Sequence, residues 1–120
     1  MTLVSLVYGG SSAARERAIA AAIAPGVPSA AIVEGLPTGE DVLAQAAEAG
    51  QLQVFRVAAG CPCCNGNLTM RVTLNRALRQ RPQQLYLSLS NADHKEQVLN
   101  FLQEPQYLPL LEIGAGMDCS

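Results

Sequence analysis

The chain has 120 residues, of which 49% are hydrophobic and 15% are charged, a composition that excludes an intrinsically disordered protein. Its length predicts one domain over residues 1–120, with a core that needs no disulfide staples. A formal net charge of -2 and the absence of tryptophan argue against a nucleic-acid partner, since neither a basic surface nor stacking platforms are expected.

The N-terminus carries no basic leader, and no apolar stretch approaches the length that spans a bilayer. We therefore expect a soluble cytoplasmic protein without a membrane partner. In that compartment a cysteine cluster serves a metal or redox site more often than a structural disulfide. The four cysteines are thus the first candidates for chemistry.

Short apolar runs alternate with helical stripes along the chain. Strands are predicted at 3–8, 30–34, 52–58, 84–89 and 108–113. Helices are predicted at 13–24, at 42–49, from 65–67 to 80, and from a cap at 90–93 to the residues before Pro105. This βαβαβαβαβ order implies a three-layer α/β sandwich with a mostly parallel five-stranded sheet. Residues 114–120 are predicted to form a polar, glycine-containing tail.

Three cysteines, Cys61, Cys63 and Cys64, lie in the predicted turn between the third strand and the following helix. A helix N-terminus favours thiolate over thiol, and thiolate is the form that binds metals and attacks disulfides. A tight C-x-C-C turn can offer two or three sulfurs to zinc or a similar thiophilic ion, which prefers four ligands. Water, Glu34, Cys119 or a second subunit would complete the coordination.

Two other interpretations of the cysteines stay open. Cys61 and Cys64 have the C-x-x-C spacing of a thiol-disulfide redox pair, although they follow the third strand and no later cis-proline loop is evident. Alternatively, the cysteines are small apolar residues that fill a tight turn of a non-catalytic interaction or structural protein. The sequence allows a protein partner or a homo-oligomer in each case.

The turn after the first strand has the position of a phosphate-binding loop without its usual chemistry. In the G-x4-G-K-[ST] pattern, Arg15 stands at the lysine and Glu16 at the hydroxyl that holds magnesium. We expect these two residues in a solvated first turn of a helix, and we expect Lys95, the chain's only lysine, not to serve this loop. GTP binding and hydrolysis are therefore not expected. The residues of this vestigial anion site are Gly9, Gly10, Ser11, Ser12 and Arg15.

Together these features resemble the cobalamin-synthesis W (CobW) family of metal-chaperone GTPases, which includes the hydrogenase and urease nickel-insertion proteins. Gly60-Cys61-Pro62-Cys63-Cys64 matches the family's Gly-Cys-x-Cys-Cys motif, and Glu34-Gly35 resembles its Asn-Glu-x-Gly segment. The chain departs from the family at Ser88 and Asn91, where Glu-x-x-Gly is expected, and it lacks the guanine-reading Asn-Lys-x-Asp sequence. The resemblance implies a P-loop NTPase-like half domain that handles a metal without hydrolysing nucleotide.

Other polar residues have ordinary explanations. His94, the single histidine, is expected in a solvated helix turn. The arginines late in the helix after the cysteine turn complement the helix dipole. Cys119 is expected as a free thiol in a mobile tail.

Overall fold

The predicted alternation of strands and helices is confirmed in the computed structural model, which describes residues 2–23, 26–34, 43, 52–57, 65–89 and 95–119. For residues 65–69 only the backbone is described. The elements are β1 (Thr2–Tyr8), α1 (Ser12–Ala22), β2 (Ser29–Glu34), β3 (Leu52–Val57), α2 (Asn65–Leu78), β4 (Gln84–Ser88), α3 (Lys95–Leu102), β5 (Leu111–Ile113) and β6 (Met117–Asp118). The cysteine turn, the predicted cap at 90–93 and His94 lie outside the described residues.

The described strands form one parallel sheet in the order β3-β2-β4-β1-β5, with β6 also paired to β1. Every residue of β2 is buried, as expected for a central strand of a sheet covered on both faces. Leu43, the one described residue of the predicted helix at 42–49, is helical and fully buried. None of the described helices is long and apolar enough to cross a membrane.

Two hydrophobic clusters cover the two faces of the sheet. The α1 face is built around Val7, Ile19, Ala31, Val33, Leu43, Leu52 and Tyr86. The α2/α3 face is built around Val4, Leu6, Ala30, Ile32, Met70, Leu74, Ala77, Leu85, Leu87, Leu89, Val98, Phe101, Leu102, Tyr107 and Leu111. Because strand residues alternate between faces, both clusters draw on the same strands, and the three layers expected from the sequence result.

The predicted fifth strand and tail need correction. Residues 104–110 form local turns, with the Tyr107 N–H donating to Glu104 O and the Leu110 N–H to Tyr107 O, both at 2.9 Å. The strand therefore begins at Leu111 instead of residue 108. Beyond it, residues 117–118 rejoin the sheet as β6 instead of forming a free tail.

β5 and β6 are the two halves of one strand interrupted by a bulge. Val4 pairs with Ile113, and Val7 pairs with Met117. β1 thus advances by three residues while its partner advances by four, so one extra residue lies in the segment 114–116. This β-bulge bends the strand at the carboxyl edge of the sheet.

Candidate functional site

The carboxyl edge of the sheet is where ligands bind in open parallel α/β folds. β3 ends at Val57 and α2 begins at Asn65, so the segment that carries Cys61, Cys63 and Cys64 starts from this edge and leads into a helix N-terminus. The cysteines themselves lie outside the described residues. The end of β3 and the start of α2 mark where the chain leaves for this segment and returns from it.

Glu34 is the described acidic residue beside this exit point. It is the last residue of β2, it pairs in register with Val57, and it is 6% exposed. Glu34 is two residues after Ile32, and residues two apart in a strand point to the same face of the sheet. Because Ile32 packs in the cluster under α2 and α3, the Glu34 side chain belongs to that face. Glu34 is therefore adjacent to the strand end from which the cysteine segment departs.

Cys119 lies at the opposite side of the sheet and is not in a free tail. Its N–H donates to Tyr8 O at 2.8 Å, and its half-buried side chain packs on the α1-face cluster with Met117. β2, β4 and β1 separate β6 from β3, a span of four strand spacings or about 19 Å. Among the ligands that the sequence offered to complete a cysteine site, Glu34 is close to the end of β3 and Cys119 is remote.

Arg15 is buried, which contradicts the expectation of a solvated helix turn. Its side chain is held by four hydrogen bonds, and the residue is 4% exposed. Nη1 donates to Gly9 O at 3.2 Å and to Gly10 O at 2.9 Å. Nη2 donates to the hydroxyl of Ser12 at 3.0 Å, and Nε to that of Ser88 at 3.1 Å. The guanidinium thereby joins the turn after β1 to the end of β4.

The position of Arg15 is the switch point of the sheet. β1 and β4 are neighbours, and the helices that follow them, α1 and α3, pack on opposite faces. This is the crevice in which doubly wound folds bind their ligands. A phosphate loop turns backbone N–H groups toward the anion, whereas here Gly9 and Gly10 turn carbonyls toward a side-chain cation. An anion at this turn would have to displace bonds that the chain already makes.

The two glycines of this turn have distinct structural roles. Gly9 and Gly10 both have left-handed backbones, with φ of 79° and 62°, and only glycine adopts these at little cost. A Cβ on Gly10 would lie 2.3 Å from the Cys119 carbonyl oxygen. The absence of a side chain at Gly10 thus lets β6 close against the turn. Ser11 acts as the N-cap of α1, because its side chain accepts a hydrogen bond from the Ala14 N–H at 3.0 Å.

Glu16 is also buried instead of solvated, and it ties α1 to β3. Its side chain is fully buried, and Oε1 accepts a hydrogen bond from Arg56 Nη2 at 2.9 Å. Oε2 has no hydrogen-bond partner within the described part of the chain. The Arg56 side chain is 30% exposed, so only the acidic member of the pair is fully removed from water. Arg15 and Glu16 therefore hold the first turn of α1 to two different strands.

Lys95, which is not expected to serve the turn after β1, lies close to that turn in the structure. Its Nζ lies 4.5 Å from the ring centroid of Tyr8, the residue that precedes Gly9. The contact is a cation–π interaction with the ring and not a bond to the loop. No local pattern in the sequence brings these two residues together.

Comparison with known proteins gives one relevant similarity. The chain is similar to the zinc chaperone YeiR of Escherichia coli (strain K12), with 36% identity over 72 residues. The match covers 59% of this chain but 22% of the relative, so the chain spans less than a quarter of that protein. No family model matches the chain, and no solved structure matches it. The similarity supports in part the resemblance to metal chaperones.

Proposed function

We propose that the chain handles zinc or a similar thiophilic ion at the carboxyl edge of its sheet. Thiolates of Cys61, Cys63 and Cys64 bind the ion in this proposal, and Glu34 supplies an oxygen ligand. The observation that carries the proposal is the placement of buried Glu34 in register with Val57, where the cysteine segment leaves the sheet. Sulfur with one carboxylate is a donor set that suits zinc.

The similarity to a zinc chaperone supports the same assignment, because that relative is named for the metal that the donor set favours. When two of the three thiolates and the Glu34 carboxylate hold the ion, the fourth tetrahedral position is left for a ligand from outside the chain. Such an open coordination shell suits transfer to a partner better than a structural site, which normally closes its shell. We include in the proposal a protein partner or a second copy of the chain that takes over the ion.

We further propose that the chain handles the metal without hydrolysing a nucleotide. Arg15 stands at the lysine position of a phosphate loop, and its guanidinium is engaged by Gly9, Gly10, Ser12 and Ser88. The residue at the magnesium-hydroxyl position, Glu16, is ion-paired with Arg56. Neither side chain is placed as a nucleotide-binding loop requires.

Titration of the reduced protein with Co(II) tests the role of the thiols. We expect one equivalent to produce thiolate charge-transfer absorption in the wild type and in Cys119→Ser, the matched control whose sulfur lies across the sheet. Cys61→Ser and Cys63→Ser are each expected to lose intensity and affinity. Absence of stoichiometric binding, or loss of binding in Cys119→Ser, would contradict the proposal. Repeating the titration with Mg-GTP is expected to leave it unchanged.

A further inference from the structure

A second recess opens at the carboxyl end of β1, on the face that α3 covers. Its volume is about 160 Å³. Three aliphatic side chains line it, Leu6, Leu99 and Ile113, together with Tyr8 and Lys95. The recess thus combines an apolar wall with one cation and one phenol. It lies across β1 from the Arg15 crevice, and β4 and β2 lie between β1 and β3, the strand that leads to the cysteines.

The β-bulge at 114–116 shapes this recess. Gly114 and Gly116 both line it. A Cβ on Gly116 would lie 3.0 Å from Tyr8 Cε1 and 3.3 Å from Leu6 O. A side chain at position 116 would therefore press on the tyrosine ring and occupy space beside it. Bulges are frequent next to active sites, where they re-aim a side chain or end the pairing of a strand.

The polar groups of the recess have unused bonding capacity. Within the described part of the chain, Lys95 Nζ makes no ion pair or hydrogen bond, and its recorded contact is with the Tyr8 ring. The Tyr8 hydroxyl likewise has no hydrogen-bond partner there. A partly exposed cation–π contact is weaker than a charge-assisted hydrogen bond, so an anion can draw the ammonium away from the ring.

Two acidic residues flank these positions without lining the recess. Asp118 pairs in register with Tyr8, and Glu96 follows Lys95 in α3. Both are exposed, and their charges are therefore screened by water. The positive charge that faces the apolar wall is that of Lys95.

We propose that this recess binds a small organic monocarboxylate. The apolar body of the ligand packs against Leu6, Leu99 and Ile113, and its carboxylate accepts hydrogen bonds from Lys95 Nζ and the Tyr8 hydroxyl. A volume of 160 Å³ is close to that of the apolar cavity of about 150 Å³ that holds a benzene molecule. Inorganic phosphate would leave the aliphatic wall unused, and a neutral hydrocarbon would offer the Lys95 ammonium no hydrogen-bond acceptor.

Titration with benzoate, followed by amide chemical shifts in NMR spectra, tests the site. Benzyl alcohol is the matched neutral probe. We expect saturable shifts for the amides of residues 6–8 and 113–116, with a Kd on the order of 1 mM for benzoate. Benzyl alcohol is expected to bind at least tenfold more weakly. Absence of saturation with benzoate, or equal binding of the two probes, would overturn the proposal.

Two variants separate a shaped site from general attraction of anions. Lys95→Met is expected to weaken benzoate binding at least tenfold. Arg79→Met removes an equal charge from the exposed position just after α2 and is expected to have no effect. Gly116→Ala keeps every charge but places a methyl group against the Tyr8 ring inside the recess, and it too is expected to weaken benzoate binding at least tenfold. Unchanged affinity in Lys95→Met or in folded Gly116→Ala would contradict a site at this recess.

Discussion

The ion pair between Glu16 and Arg56 predicts that replacing Arg56 lowers the free energy of unfolding much more than replacing Glu16 with glutamine. Glu16 is fully buried, whereas the Arg56 side chain is 30% exposed. Arg56→Met removes the recorded partner of Glu16 Oε1 and leaves a buried carboxylate uncompensated, which is expected to cost about 3–5 kcal/mol of unfolding free energy. Glu16→Gln leaves an amide oxygen that still accepts from Arg56, and the arginine keeps its contact with water. This change is expected to cost about 1 kcal/mol.

Urea unfolding monitored by circular dichroism measures both variants against the wild type. The double variant Glu16→Met with Arg56→Met supplies the control, because replacing a buried ion pair with apolar side chains of similar size is often neutral. We expect the double variant to regain most of the stability that Arg56→Met loses. If Arg56→Met were no more destabilising than Glu16→Gln, the reasoning from the burial of Glu16 would be refuted.

Two further predictions concern the first turn and the acid stability of the fold. Gly10→Ala places a Cβ 2.3 Å from the Cys119 carbonyl oxygen, so Cys119 must move away from the turn. We therefore expect the Cys119 thiol to react faster with a disulfide reagent, measured in a background that lacks the other cysteines. Gly26→Ala is the matched control for backbone strain, because Gly26 has φ 81° and no described atom lies near its added Cβ. Equal thiol reactivity in the two variants would contradict the close approach of Gly10 to Cys119. Hydrogen bonds from Arg71, at 2.6 and 3.2 Å, hold the pKa of Glu104 below its ordinary 4.5. Ionised Glu104 therefore adds stability that is lost as the pH falls below 4.5 through the lowered pKa. In urea unfolding at a series of acidic pH values, Glu104→Gln is expected to reduce the slope of unfolding free energy against pH. An unchanged slope would contradict this role of Glu104.

Much of the fold could be predicted because its signals are local. The apolar run of β2 and the alanine-rich stretch of α1 each indicate their structure within a few residues. Alternation of these segments then restricts the sheet to a mostly parallel one. The order of the strands, and the pairing of residues 117–118 with β1, are set by contacts between distant segments that no local pattern contains.

The strand after α3 shows how a local signal can mislead. Glycines at 114 and 116 are typical of a flexible tail, and the sequence therefore predicts a tail over residues 114–120. In the fold they form a bulge that absorbs one residue and lets the strand resume beside β1. The interpretation was wrong because a glycine-rich segment has the same composition whether it is free or bends closely past a neighbouring strand.

The charged residues of α1 could not be placed from the sequence for a related reason. Arg15 and Glu16 are charged residues in the first turn of a helix, which are usually solvated. Arg15 is instead bound to Ser88, 73 positions away, and Glu16 to Arg56, 40 positions away. Burial of a charge depends on whether a partner meets it in the fold. The departure of the loop from the phosphate-binding pattern was nevertheless visible in the residue types.

Glu34 lies beside the end of β3, the point from which the chain continues to the three cysteines. The sequence offered Glu34 and Cys119 as alternative ligands without ranking them. Sheet order does rank them, since β2 is adjacent to β3 while β6 lies four strands away. The cysteines and Glu34 thus form the group on which the proposed metal chemistry depends.

The central claim is tested most directly by the zinc affinity of Glu34→Gln, measured by competition with a chromophoric chelator under reducing conditions. Glu112→Gln, an exposed carboxylate of β5 at the other side of the sheet, is the matched control. Thermal unfolding of both variants without metal establishes that each is folded. We predict that Glu34→Gln weakens zinc binding roughly 10-fold or more, as loss of a ligand requires, while Glu112→Gln binds as the wild type does. Equal zinc affinity in the two folded variants would contradict the account.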